Sequence, residues 1–443
     1  MLGDHEDAPV SFFMLPPAVP DSGKRDLLRR IHKLIAWPAV RAQAAPFFAP
    51  TGRPSIDPVV MVKMMLVGYL FAIPSDRRLV EECADSFAIR EFLGYQLDEK
   101  LPTHPNFTNW RQRLGAEFFR GLLHDTVREL AAAGVEFSTG RSVDATAVKA
   151  QASKEGPLVE RPVDVPVDEF LAAYFAADAP AGDAPAAAGE TAAVNLHDPQ
   201  ARLQRKRGEI AEFRYQVSFC ADLDNGLITD ATATPRERAA TALEHVTRDP
   251  LPVTELAADK LYDHGPTLEK LAARGVTAYV PKVQRDKPGQ ISKDDFTYQP
   301  DREAYVCPQG HELKHSRFDV RKQLHYYTAQ ASVCRACPRK GDCTPAKRRT
   351  VTRTAAESGR EGAVRAGPRY LERQRRRRVN EHLNMLGKRD HNLRRARALG
   401  LEAMRIQAAL TALAINLKKT AARGVERANA FFGQRPRRQY NPA

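Results

Sequence analysis

Cysteine is scarce in this chain, with six copies in 443 residues, and tryptophan is scarcer, with two. So few cysteines over such a length exclude a disulfide-stapled module, and in a reducing compartment a cluster of them points to metal. Long apolar runs are missing as well. The longest, Val59 to Ile73, is broken by Lys63, so no membrane span is expected. The first residues, MLGDHEDAPV, are acidic where a secretory signal is basic. A cytoplasmic location is the resulting expectation.

Acid is the remaining shortage. Asp and Glu number 54 against 68 Lys and Arg, which leaves a formal net charge of +14. An excess of that size suits a polyanion, because cations that neutralise phosphates release condensed counterions and drive binding without reading sequence. The excess is concentrated: Ala366 to Gly400 holds eleven Lys and Arg against three Asp and Glu. Nucleic acid is the expected partner.

The length accommodates two or three domains. Residues 1–50 form a lead-in whose amphipathic segment, Lys24 to Ala36, is expected to end at Trp37-Pro38. Residues 51–135 read as an all-helical domain suited to DNA binding, with helices from Pro58 to about Ala72, Asp76 to Phe92 and Asn106 to about Gly134. Trp110, Arg111 and Arg113 are its candidate DNA contacts. Residues 136–289 begin with RSVDATAVKA, a strand that places Asp144, Thr146 and Val148 on one side. Paired strands then meet at Asp224-Asn225-Gly226, a helix spans Arg236 to Val246, and a strand-helix-strand unit follows, its first strand ending near Asp259. An Ala/Pro-rich stretch, 156–196, interrupts this part and reads as a loosely held insertion. Residues 290–350 are Cys-rich, 351–425 helical and 426–443 a basic tail. The pattern predicts an α+β protein with a mixed sheet flanked by helices.

Two groups of residues carry chemistry. Cys307, Cys334, Cys337 and Cys343 have the spacing C-x26-C-x2-C-x5-C, and four thiolates with a close pair can complete a tetrahedral Zn²⁺ shell, with His311 and His315 as substitutes for one sulfur. Cys83 and Cys220 read as core residues. The second group is Asp144, Asp259 and Glu381, acids spread over the chain whose oxygens suit a hard divalent cation. Asp222, Asp224, Asp230 and Asp263 are rivals that read as turn or capping residues. At about 100° per residue, Arg377, Glu381 and Lys388 share one helix face. On the helix alone, Arg377 and Glu381 read as an ordinary surface pair.

Nearly the whole chain resembles the DDE transposases of bacterial insertion sequences. GRPSIDPVVMVKMMLVGYLFAI through LPTHPNFTNWRQRL is similar to their helical N-terminal domain, SVDATAVKA to the first-aspartate strand, ADKLYD to the second-aspartate segment, and RACPRKGDC to the cysteine insertion of one subgroup. RRVNEHLNMLGKRDHNLRRARAL is similar to the block carrying the catalytic glutamate. There Arg377, Glu381 and Lys388 fit a Y-x2-R-x3-E-x6-K signature, with Gln374 at the tyrosine position. The resemblance implies an RNase-H-like core, Asp144, Asp259 and Glu381 as a triad for Mg²⁺ or Mn²⁺, and Arg377, Lys388, Arg389, Arg394 and Arg395 as phosphate contacts. Double-stranded DNA, both transposon ends and target, is the implied partner, with a homodimer or higher oligomer pairing the ends. The rivals are a catalytically inactive, DNA-binding descendant and a hydrolytic nuclease on the same core.

Overall fold

The structure is a computed structural model and describes residues 1–5, 23–163, 165–176, 191–205, 208, 210–236, 239–282, 291–320, 324–354, 357 and 362–423. The expected basic tail at 426–443 lies outside them. The chain divides into two compact units, residues 1–257 with 371–443, and residues 258–370.

The first unit opens with helices. α1 (Gly23–Leu34) ends as expected, but Trp37-Pro38 starts α2 (Trp37–Ala44). Proline is tolerated there because a first-turn residue has no intrahelical N–H bond to lose. α3 (Pro58–Leu70) is capped by Asp57, whose carboxylate accepts from the Val59 N–H, and its residues are buried nearly all round. The single helix expected from Asp76 to Phe92 is two, α4 (Asp76–Asp85) and α5 (Phe87–Leu93), separated by extended Ser86. α6 (Pro105–Ala132) is kinked at Gly115, whose φ of 69° favours glycine. Its second half restarts at Ala116, whose N–H donates to Glu402 Oε1 at 2.6 Å.

β1 (Gly140–Lys149) follows. The described parts of the insertion after it carry regular elements. Its ends pair as β2 (Leu158–Pro162) and β3 (Thr191–Asn195) around α7 (Val167–Ala176), while 177–190 lie outside the described residues. β4 (Arg202–Gln204) and β6 (Ile228–Thr234) both pair antiparallel with β5 (Glu212–Asp222), which pairs antiparallel with β1. α8 (Ala239–Arg248) leads to β7 (Glu255–Ala258), on the other side of β1. A hairpin of the second and third long strands beside a central first strand, with the fourth on its far side, is the RNase-H-like arrangement.

The second unit carries α9 (Gly265–Ala272), β8 (Thr277–Tyr279) and a separate antiparallel sheet, β9 (Thr297–Gln299), β10 (Ala304–Val306), β11 (Glu312–Asp319), β12 (Leu324–Thr328) and β13 (Thr350–Thr354). Between β12 and β13 lie the short helices α10 (Ala331–Ala336) and α11 (Lys340–Cys343). Tyr305, Leu313, Tyr327 and Val351 form this sheet's own core.

The chain returns to the first unit within α12 (Pro368–Arg376), which with α13 (Val379–Asp390) splits the basic stretch, and α14 (Leu401–Ala422) is that unit's main buried helix. Asn416 on α14 is fully buried, and its amide pairs both the N–H and the carbonyl of Ile228. No helix among the described residues is long and apolar enough to cross a membrane.

Candidate active site

Asp144 sits half-buried in the middle of β1. One carboxylate oxygen accepts from the Ala145 N–H at 2.9 Å, and the other from Asn384 Nδ2 at 3.1 Å. One helical turn earlier on α13, Asn380 Nδ2 donates to Ser142 Oγ at 2.8 Å. The lengths match: four helical residues rise about 6 Å, and two strand residues advance about 6.7 Å. Asparagines at i and i+4 can therefore meet strand residues at j and j+2, and α13 is stitched along β1 at two points. Leu383 and Gly387 complete its buried face.

Glu381 stands on the flank of that face, about 60° around the helix from Asn384. Its side chain is 58 % exposed and receives Arg377 Nη2 at 3.3 Å. Arg377 also donates from Nε to Gln374 Oε1 at 3.3 Å, so the residue at the tyrosine position orients the arginine. The structure thus brings the helix of Glu381 onto the strand of Asp144. Asp259 belongs to the second unit, where its carboxylate accepts from the Leu261 N–H at 2.8 Å and caps a short 3-10 turn.

The rival acids have structural partners. Asp222 is fully buried against Arg141 and accepts from the backbone N–H groups of Ser138, Asp224 and Asn225. Asp224 pairs with Arg373 and Arg376. Asp263 pairs with Arg365 at 2.8 Å. Asp230 is a buried hub, bonded by Arg120, by His124 at 2.7 Å and by His245 at 2.6 Å. Burial alone would raise its pKa, but these three donors hold it well below the usual carboxylate range.

The expected cationic surface is divided. Arg389 lies flat on Asp390, at 2.7 and 2.8 Å, and Arg373 is buried on Glu255 at 2.5 Å. Arg394 and Arg395 are exposed, in a segment whose backbone bonds to Lys149 at the end of β1. Lys388 is half-buried, and its carbonyl accepts from Arg394 Nε at 3.3 Å. In the N-terminal helices, Arg111 is not a surface contact: its guanidinium is buried and holds both oxygens of Asp76 at 2.6 and 2.7 Å. Trp110 is buried against Phe48, while Arg113 is exposed and lies over the Phe48 ring.

The four cysteines of the second unit are gathered in one region. Gly310, at φ 77°, turns the chain so that the His311 N–H reaches Cys307 Sγ at 3.4 Å. The Arg349 N–H donates to Cys334 Sγ at 3.5 Å. Burial pushes the Cys343 thiol pKa up; Arg349 opposes this, and Cys334, Cys337 and Cys307 are near enough to add to it. N–H groups aimed at sulfur suit thiolates, so the donor set fits zinc. Among the described residues, however, no three His, Cys, Asp or Glu side chains converge closely enough to enclose a metal. Cys83 and Cys220 are buried elsewhere.

Two family models match the chain. Residues 19–113 match a transposase domain (DUF772), and residues 306–421 match a transposase DDE domain. The second match contains Glu381 and the cysteines; Asp144 and Asp259 fall between the two. No curated protein matches. A solved structure described as a piggyBac transposase synaptic complex with hairpin DNA is similar at 10 % identity, over 94 % of this chain and 82 % of that one, with a TM-score of 0.30.

Proposed function

We propose, for a chain that is a DNA transposase with a DDE domain, that it cleaves transposon ends and joins them to target DNA by metal-dependent phosphodiester chemistry at Asp144, Asp259 and Glu381. The observation that carries this reading is the stitching of α13 along β1, which sets the helix of Glu381 against the strand of Asp144. These acids would hold Mg²⁺ or Mn²⁺, which supplies activation of the attacking oxygen and stabilisation of the leaving one. Carboxylate oxygens are suitable donors for such a cation. Arg377, steered by Gln374 and paired with Glu381, and Lys388, about two helical turns further on, act on phosphate by charge rather than by taking protons. Arg389, Arg394 and Arg395 extend the cationic surface along the DNA, and the N-terminal helices bind the ends. Two or more copies pair the ends.

The cysteine region would hold one Zn²⁺ through Cys307, Cys334, Cys337 and Cys343, in a structural role, since four thiolates leave no open position for substrate. The test of the catalytic reading is cleavage and joining of end-bearing DNA with Mg²⁺ by the wild-type protein and by Asp144→Asn, Asp259→Asn and Glu381→Gln. Each substitution should abolish both steps while end binding persists. Undiminished cleavage by Asp144→Asn sinks the proposal.

A further inference from the structure

The rings on the sheet of the second unit continue past its core. Tyr327 is buried there, and the face it shares runs on through His315, opposite Tyr327 in the register, to Phe318, opposite His325. Side chains three apart on a regular strand point to opposite faces. A bulge between His315 and Arg317 takes up Ser316, whose hydroxyl donates to the Tyr326 carbonyl at 2.9 Å, and so returns Phe318 to the face of His315. The result is a row of rings. Phe318 and His325 lie 4.4 Å apart between centroids, His325 and His315 5.2 Å, and His315 and Tyr327 5.4 Å. The two histidines also share a hydrogen bond at 3.1 Å, and Arg353, opposite His325 on β13, brings a cation to the same face.

Burial ends along this row. Phe318 is 41 % exposed, His315 is exposed and His325 half-buried. The surroundings select the occupant: from Glu312 to Thr354 the sequence holds eleven Lys and Arg against three Asp and Glu. Flat rings in a cationic field suit a polyanion that carries flat rings of its own. In a duplex each base is covered by its neighbours, whereas a single strand can lay its bases on aromatic side chains. We propose that His315, Phe318 and His325 form a stacking platform for the bases of single-stranded DNA, with the surrounding positive charge attracting its backbone. The platform needs none of the three acids. It concerns which form of DNA the chain holds, whatever the chemistry of cleavage.

The experiment is fluorescence anisotropy of a short labelled oligothymidine with the full-length protein and no added divalent metal, beside an abasic strand and a duplex of the same length, with folding checked by circular dichroism. Wild type should bind oligothymidine more tightly than the abasic strand. Phe318→Ala combined with His325→Ala should weaken oligothymidine binding by about tenfold or more, the scale of losing a base stack, and leave the abasic strand and the duplex within about twofold. Phe318→Trp, which keeps a ring, should bind like wild type, and its indole fluorescence should be quenched by the bound bases. If the double variant does not fold, Phe318→Trp decides: an unquenched indole at saturating oligothymidine overturns the proposal. Wild-type affinity in a folded double variant overturns it, as do equal losses on all three ligands, which would mark an effect of charge. Self-association that the double variant loses, with oligothymidine affinity unchanged, would give the row to a second copy of the chain instead. Because no metal is added, failure of the acid site leaves these readings unmoved, and failure here leaves the acid site unmoved.

Discussion

Replacing Asp230 by Asn should cost the first unit about 3–5 kcal/mol, the usual penalty for removing one partner of a buried ion pair. The carboxylate has no solvent exposure, and Arg120, which binds it with two nitrogens, is 7 % exposed at its side chain. Two opposite charges about 4 Å apart interact by roughly 4 kcal/mol at an effective dielectric constant near 20, which agrees in scale. Asparagine keeps the volume but turns an N–H group towards Arg120 or His245, where only donors wait. Both tryptophans, Trp37 and Trp110, lie in the first unit, so their fluorescence during urea unfolding at pH 7 reports it. Glu244→Gln is the control. It touches the same guanidinium but is 35 % exposed, and should cost under about 1 kcal/mol. Because the Asp230 pKa is lowered, its contribution is present above the unfolded carboxylate value, about 3.9, and is lost as pH falls below it. A cost below about 1 kcal/mol, or equal costs for Asp230→Asn and Glu244→Gln, would refute the reasoning.

Two further outcomes are expected. His391 is buried, with Nδ1 donating to the Tyr69 carbonyl, and burial pushes its pKa down to about 4. Between pH 6.5 and 4 the unfolded chain takes up a proton that the folded chain refuses, so stability should fall across that window by up to about 3 kcal/mol. His391→Gln should flatten the decline, and an unchanged pH profile in that variant would count against it. Purified protein should contain one Zn²⁺ per chain, and chelation should expose four thiols to a thiol reagent and lower the melting temperature of the second unit. A substoichiometric zinc content with all four thiols already reactive would refute the cysteine assignment.

Much of the core could be read from residues. Asp144 stands out because an acid in the middle of an apolar strand has a burial cost that demands a reason. The hairpin at Asp224-Asn225-Gly226 and the helix from Pro58 were legible because turn and cap chemistry is local. What failed depended on distant partners. Arg111 resembles a surface cation until Asp76, 35 residues away, is folded against it. Asp230 resembles a turn acid, yet its donors come from two helices on opposite sides of it in the sequence. Asn384 carries no signal at all, since an asparagine in a basic helix is unremarked until the strand beneath it is known.

The two-point stitch has an evolutionary consequence. Asp144 and Asn384 are 240 positions apart, and the second unit leaves and re-enters the chain between them. Their register is set locally, by the near-equal advance of four helical residues and two strand residues, about 6 and 6.7 Å. Closing a longer excursion is cheap, about 0.6 kcal/mol for each doubling of a flexible loop. Whole modules can therefore be lengthened or exchanged in that excursion while the register of acid and amide is kept. Loss of a single residue between Asn380 and Asn384 would instead swing the amide by about 100° and break the register.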